Sequence, residues 1–185
     1  TLEIFSAMTI VGRPNVPKEE IVVVGGITFK KGIQGNCHLQ HLTLRQAMEF
    51  GVLGYSSFTM EDVLVEQCKN SGVVVDGTGV VGKCTNVEVR QCRWSGVVAG
   101  NGASITLIGA KTTVHHNCTD GDSYQYGLTV HVYTSTIQLV SPLTKEQVSH
   151  DNGGGGNWGA PYRGDINQIK TITPRELFRQ INGLG

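Results

Sequence analysis

The chain has 185 residues, enough to bury the core of one ordinary domain, and carries 15 basic against 15 acidic residues with a pI near 6.9. That balance lacks the basic footprint of a nucleic-acid binder, and no apolar run reaches the length of a membrane span. Its 5 cysteines are odd in number and follow no metal-site or disulfide-framework spacing, so reduced thiols in the core are the plain reading.

The first residues lack the charged-then-apolar layout of a signal peptide. A start at Thr1 rather than Met is compatible with a fragment of something longer, so no compartment is assigned. Two early strand patterns, MTIVG from Met8 and IVVVGG from Ile21, flank a Pro-rich loop over 11–20. Next comes a repeat: LTLRQAMEFGV from Leu42, VLVEQCKNSGV from Val63, VEVRQCRWSGV from Val87 and a degenerate TTVHHNCTDGDSYQYGL from Thr112, spaced by 21, 24 and 25 residues. Each unit alternates apolar and polar residues with period 2, and none can bury its apolar side alone. An all-β solenoid is expected, because helical solenoids need longer units with 3.6-residue periodicity.

Alternation points Leu42, Leu44, Val63, Val65, Val87 and Val89 inward. Gly51, Gly72, Gly96 and Gly127 mark the corners, where unusual dihedrals are expected. Outside, Arg45, Glu66, Arg90 and His115 form a column of alternating sign beside Gln46, Gln67, Gln91 and His116. The plain reading is a register-setting ladder of exposed ion pairs, each worth about 0.2–1 kcal/mol, and the sharper one is a polar binding face. Thr43, Leu64, Glu88 and Thr113 make another outward column. An apolar outward row, Leu53, Val74 and Val98 followed by Thr129, should be covered by the chain's own tail or by self-association.

The fourth unit is enlarged: glycine-to-glycine spacing grows from 24 residues to 31, adding a loop over 115–127. Loops on rigid scaffolds commonly carry function. The candidate binding residues are His115, His116, Asp120, Asp122, Tyr124 and Tyr126, with Arg90 and Trp94 from the unit before. The tyrosines could stack on a sugar ring, and the two carboxylates could serve glycoside cleavage or hold Ca²⁺, although Asp-Gly-Asp-Ser is also ordinary turn chemistry. No other cofactor is implied. Beyond this loop, residues 1–148 form the coils, and 149–172 hold a Gly-rich excursion or flexible linker, pinned by Asn157-Trp158-Gly159, and a last strand. Residues 173–182 read as a helix with Thr173 as N-cap, Pro174 in the first turn and Glu176 closing a capping box. Its apolar Leu177, Phe178 and Ile181 suit a cap over the last coil, or docking on the Leu53 row.

The pattern V-x-V-x-x-(C/N)-x-x-x-G-V, over roughly 21–140, resembles the right-handed parallel β-helix proteins of the pectate-lyase-like group. The resemblance implies coils stacked about 4.8 Å apart, with Ala47, Cys68, Cys92 and Asn117 in one inward column where such folds often hold an asparagine ladder. Stacked Cys68 and Cys92 could geometrically form a disulfide, but nothing establishes an oxidising compartment. The group includes polysaccharide lyases, hydrolases, epimerases, tailspikes and non-enzymatic modules, and fold alone does not choose among them. Its N-T-D, D-D, G-H-G, R-I-K and Asp-Pro-His-Asp patterns are absent, so no catalytic residue carries over. The expectation is a non-catalytic module binding a polysaccharide or protein through a lateral face or the 115–127 loop. The alternative is a polysaccharide-active enzyme with an unfamiliar site.

Overall fold

Strands as short as Leu2–Ile4 or Glu88–Arg90 cannot satisfy their own backbone groups. In the computed structural model, which describes residues 1–183, the partners come from neighbouring repeats, always in parallel. One 7-stranded sheet runs in chain order through Leu2–Ile4, Ile27–Phe29, Val52–Gly54, Val73–Asp76, Val97–Gly100, Tyr126–Val130 and Gly156–Gly159. The second has 11 strands and is built around the long strands Cys37–Arg45 and Phe58–Glu66. It then divides. Val81–Thr85, Ser104–Ile108, Thr136–Val140 and Ile169–Ile172 continue from the first half of Phe58–Glu66, while Glu88–Arg90, Thr113–His115 and Ser149–His150 continue from the second. The chain is therefore mostly β, with parallel sheets that do not close on themselves and few helices, and no helix among the described residues is long and apolar enough to cross a membrane.

The register agrees with the repeat: Leu42 pairs with Val63, and Leu44, Val65, Val89 and Val114 stack in one file. These side chains are fully buried, each contributing roughly 1.5–3 kcal/mol relative to exposure. Ala47, Cys68, Cys92 and Asn117 line the inward corner, all buried, and the five cysteines are free thiols. Asn117 Nδ2 donates to Val89 O (3.0 Å), and its Oδ1 accepts from Cys92 N–H (3.1 Å). Asn152, which the sequence pattern did not place, repeats this one unit later with Val114 O (3.0 Å) and Asn117 N–H (3.0 Å). The ladder thus has two asparagine rungs, and the smaller Cys and Ala occupy the same place in earlier units, where the Cys68 and Cys92 thiols donate to Glu66 O (3.7 Å) and Arg90 O (3.5 Å).

The corner glycines serve a different purpose from the one expected. Gly51, Gly72, Gly96 and Gly127 do not adopt positive φ. A Cβ on Gly72 would instead overlap Val89 Cγ1 and sit 2.8 Å from Gly96 O, and one on Gly96 would overlap Val114 Cγ1 and reach within 2.9 Å of the Asn117 amide. These glycines are required for close approach between units. The left-handed conformations fall on larger residues: Gln46, Gln67, Gln91, His116 and Asp151 at one corner (φ 52 to 58°), and His41, Asp62 and Asn86 at another (φ 51 to 54°). Each such residue costs on the order of 1–3 kcal/mol. The neighbouring unit holds the first corner in place, since Gln46 N–H donates to Glu66 O, Gln67 N–H to Arg90 O and His116 N–H to Asp151 O.

Three other expectations are modified. Thr43 and Leu64 keep their register but are buried, because the Pro-rich segment folds over them. Its short 3-10 turn Lys18–Glu20 accepts from Thr43 Oγ1 (2.8 Å) at Lys18 O, and Lys18 Nζ pairs with Asp62 (2.7 Å). The four glycines 153–156 are not a flexible linker. A Cβ on Gly154 would meet Asp122 O and Gln125 O, and Gly155 N–H donates to Gln125 O (2.8 Å), so the tract packs beneath the enlarged loop. Finally, the helix Pro174–Ile181 forms with its expected capping box but neither caps the stack nor lies on the Leu53 row. Starting directly after the last strand, it lies beside the outward side of Val81–Thr85, Ser104–Ile108 and Thr136–Val140, where Ile108 and Val140 offer an apolar stripe. The end of the core is filled instead by Leu143 and Val148 and by Trp158, over which Lys145 Nζ sits 5.2 Å from the ring centroid.

Gly72→Ala should therefore destabilise the protein by about 2 kcal/mol or more through overpacking. Gln67→Gly should change stability by no more than about 1 kcal/mol, and in the stabilising direction. Urea unfolding midpoints decide the matter, and the opposite ranking means that the two corner roles have been exchanged.

Candidate functional site

The outward column of alternating charge is a connected network. Glu66 accepts from Arg45 Nε (2.5 Å) through one oxygen and from Arg90 (2.8 and 2.9 Å) through the other. Arg90 also pairs with Glu88 (2.9 Å), which His115 Nε2 meets at 3.2 Å. The register is as expected, but the solvent exposure is not: the Glu66 side chain is only 4% exposed. Burial would raise its pKa, yet the hydrogen bonds from Arg45 and Arg90 outweigh that and hold the carboxyl below its usual range. The exposed-pair estimate consequently does not apply. Arg90 is committed to this ladder rather than free to meet a ligand.

His115 lies at the end of the network. With its Nε2–H donated to Glu88, its Nδ1 accepts from His116 Nδ1–H at 2.7 Å. The His150 ring lies parallel to it (5.4 Å, 1°), and His150 Nδ1 pairs with Asp151 (2.9 Å). Protonating His115 would turn two N–H groups toward each other beside a stacked imidazole. Burial is the largest cause that lowers its pKa, the neighbouring His116 and His150 charges lower it further, and Glu88 opposes them. His131 is also lowered by burial. His41 is raised, chiefly by its hydrogen bond to Asp62 (2.6 Å).

The enlarged loop does not gather the predicted residues onto one face. Asp120 Oδ1 accepts from Asp122 N–H (3.2 Å), Asp122 Oδ1 accepts from Tyr124 N–H (2.8 Å), and Arg93 lies 3.6 Å from Asp120. Both carboxylates thus serve the turn, and among the described residues no group of three His, Cys, Asp or Glu side chains is arranged to hold a metal ion. Tyr126 is half-buried, with its ring packed over Gly155 and Gly159. Trp94 is half-buried and contributes its backbone to the stack, donating to Asn70 O (3.3 Å) and accepting from Cys118 N–H (2.9 Å). His115 and His116 belong to the histidine cluster. The apolar row is partly closed: Val98 and Thr129 are buried, with Thr129 tied through Ser95 (2.9 Å) to Gln125 of the loop (2.8 Å), while Leu53 and Val74 are half-buried.

Tyr124 alone of the loop tip joins a new constellation. Its ring lies nearly parallel to that of Tyr162 (centroids 6.2 Å, 17°), and His131 meets Tyr162 edge-on at 5.4 Å. Tyr124 and Tyr162 are 59% and 73% exposed. Tyr162 sits at φ 63° in the turn closed by Gly164 N–H to Pro161 O, an uncommon conformation for an aromatic residue. The parallel bridge between Val132 and Arg163 brings the two segments together. A Pro-Tyr-Arg-Gly turn was visible in the sequence, but its position one unit below His131 was not.

Glu66→Gln should cost about 1–3 kcal/mol, because Arg45 and Arg90 lose their shared buried charge while Arg90 keeps Glu88 and the amide oxygen still accepts; denaturant titration measures this. In a histidine NMR titration, His115 and His131 should titrate below the ordinary 6.5 and His41 above it. The sign for stability follows. The His115 and His131 contributions are complete above 6.5 and are lost as pH falls through their folded values, whereas that of His41 is complete below 6.5 and is lost as pH rises through its raised value.

Compared with protein-family models, curated proteins and solved structures, the chain matches none, which leaves its function to be read from this geometry.

Proposed function

We propose that the chain is a right-handed parallel β-helix module, related to the pectate-lyase-like repeat group, that binds an extended uncharged polysaccharide without cleaving it. For the fold, the support is the parallel, in-register stacking of successive units together with the Asn117 and Asn152 ladder. For the function, one observation carries the reading: the near-parallel, solvent-exposed ring pair Tyr124 and Tyr162, held on a strained turn and braced by His131. Exposed aromatic faces that remain rigid without a partner lose little entropy on binding, and backbone strain at an exposed aromatic is commonly retained for function.

The chemistry around the rings selects the ligand. Burial disfavours the cationic form of His131, and Asp122 adds negative charge two residues from Tyr124, while Asp120 lies beside Arg93; both effects disfavour a polyanion. Those carboxylates face their own loop's amides rather than each other across a cleft. The geometry therefore favours binding over acid-base cleavage, the other reading that the sequence left open.

The test is calorimetric titration with neutral and acidic oligosaccharides. Tyr124→Ala and Tyr162→Ala should each weaken the neutral ligand by roughly tenfold, about 1.4 kcal/mol, and the acidic ligand should bind more weakly throughout. Asp120→Asn with Asp122→Asn should narrow that preference. Unchanged affinity in both tyrosine variants, or tighter binding of the acidic ligand, overturns the reading.

A further inference from the structure

The groove beside the C-terminal helix is mainly apolar and carries one cation at its end. It encloses about 530 Å³ between the helix Pro174–Ile181 and the outward side of the sheet, with Ile108, Val140, Leu143, Leu177 and Phe178 among its walls. Val140 beneath the helix is buried, yet Phe178 and Ile181 on the helix remain 61% and 64% exposed. The helix thus shields part of an apolar stripe and leaves its own apolar side half open to water. At the far end stands Lys83, which projects from Val81–Thr85. Among the described residues no carboxylate lies within ion-pair distance of its ammonium group. Lys83 and Ile181 also border a second hollow of about 310 Å³, where Asn36, Ser57 and Thr59 join a lining that is otherwise apolar, with Phe58 and Val81 among its walls.

We infer that this groove binds a single-chain aliphatic carboxylate, with the hydrocarbon between helix and sheet and the carboxylate on Lys83. Size argues for a small amphiphile, because the volume falls within the range of small-molecule sites, whereas a stable protein partner needs an interface of well over 1,000 Å². The sign of charge argues for an acid, since Lys83 has no carboxylate partner among the described residues and stands where the Asn36, Ser57 and Thr59 side chains enter the lining. A strip of aliphatic wall contributes through each buried methylene, and a partly shielded ammonium fixes the orientation.

Three probes of equal chain length separate these contributions: dodecanoate, dodecanol and dodecylammonium, each titrated below its aggregation limit. Dodecanoate should bind at least tenfold more tightly than dodecanol, and dodecylammonium most weakly. Lys83→Glu should invert the order of the two charged probes, and Phe178→Asp should weaken dodecanoate by at least tenfold. Phe178 is exposed and Lys83 half-buried, and thermal melts verify that both variants fold. Absence of dodecanoate binding, or an order unchanged in Lys83→Glu, overturns the inference. So does a Phe178-dependent dimer in sedimentation velocity that excludes dodecanoate, because it assigns the groove to a second copy of the chain.

Discussion

Everything in this molecule depends on backbone hydrogen bonds made between repeats rather than within them. A three-residue strand such as Glu88–Arg90 has no local partner, so its N–H and C=O groups are satisfied only when equivalent strands lie directly above and below. That requirement sets one spacing for every layer. Side chains at equivalent positions then meet their own kind, which explains the files of valine and leucine inside and of charge outside.

The common spacing has its greatest effect at the corners. Where a strand must turn close beneath the next unit, there is no room for a Cβ, and glycine recurs at 51, 72, 96 and 127. Where the backbone must reverse its twist, the solution is a left-handed residue, and at Gln46, Gln67 and His116 its N–H is secured by the following layer. Space and dihedral are thus separate constraints, met by different residues five positions apart in the chain, Gln67 and Gly72 for example. The inward corner divides its tasks in the same way, with asparagine amides bridging the backbone of adjacent units and thiols donating to a carbonyl two residues earlier in their own unit. Burial raises the Cys84 thiol to about 12, in keeping with a packing role for that residue.

The enlarged fourth unit departs from this regularity. Its loop is supported from below by glycines 153–156, which admit the carbonyls of Asp122 and Gln125, and from the side by the turn that carries Tyr162. On a different side, the C-terminal helix covers an apolar stripe incompletely, so the two irregular additions to the stack supply its two candidate ligand sites.

The sequence by itself determined the repeat, the period-2 alternation, the stacking register and the capped terminal helix, because all of these follow from local patterns of side-chain size, polarity and backbone preference. It also marked the 115–127 insertion by length alone. What it could not decide was which residues from different units would meet. Tyr162 lies 38 positions from Tyr124, Asn152 lies 35 from Asn117, and the helix settled on neither of the two places its pattern suited. Exposure was equally hidden at Glu66 and Leu64, whose outward direction was read correctly but whose covering comes from flanking arginines or a folded-back loop. Direction along a strand is a property of the local chain, whereas contact and burial depend on segments far away in sequence. Only the tertiary structure brings those segments together.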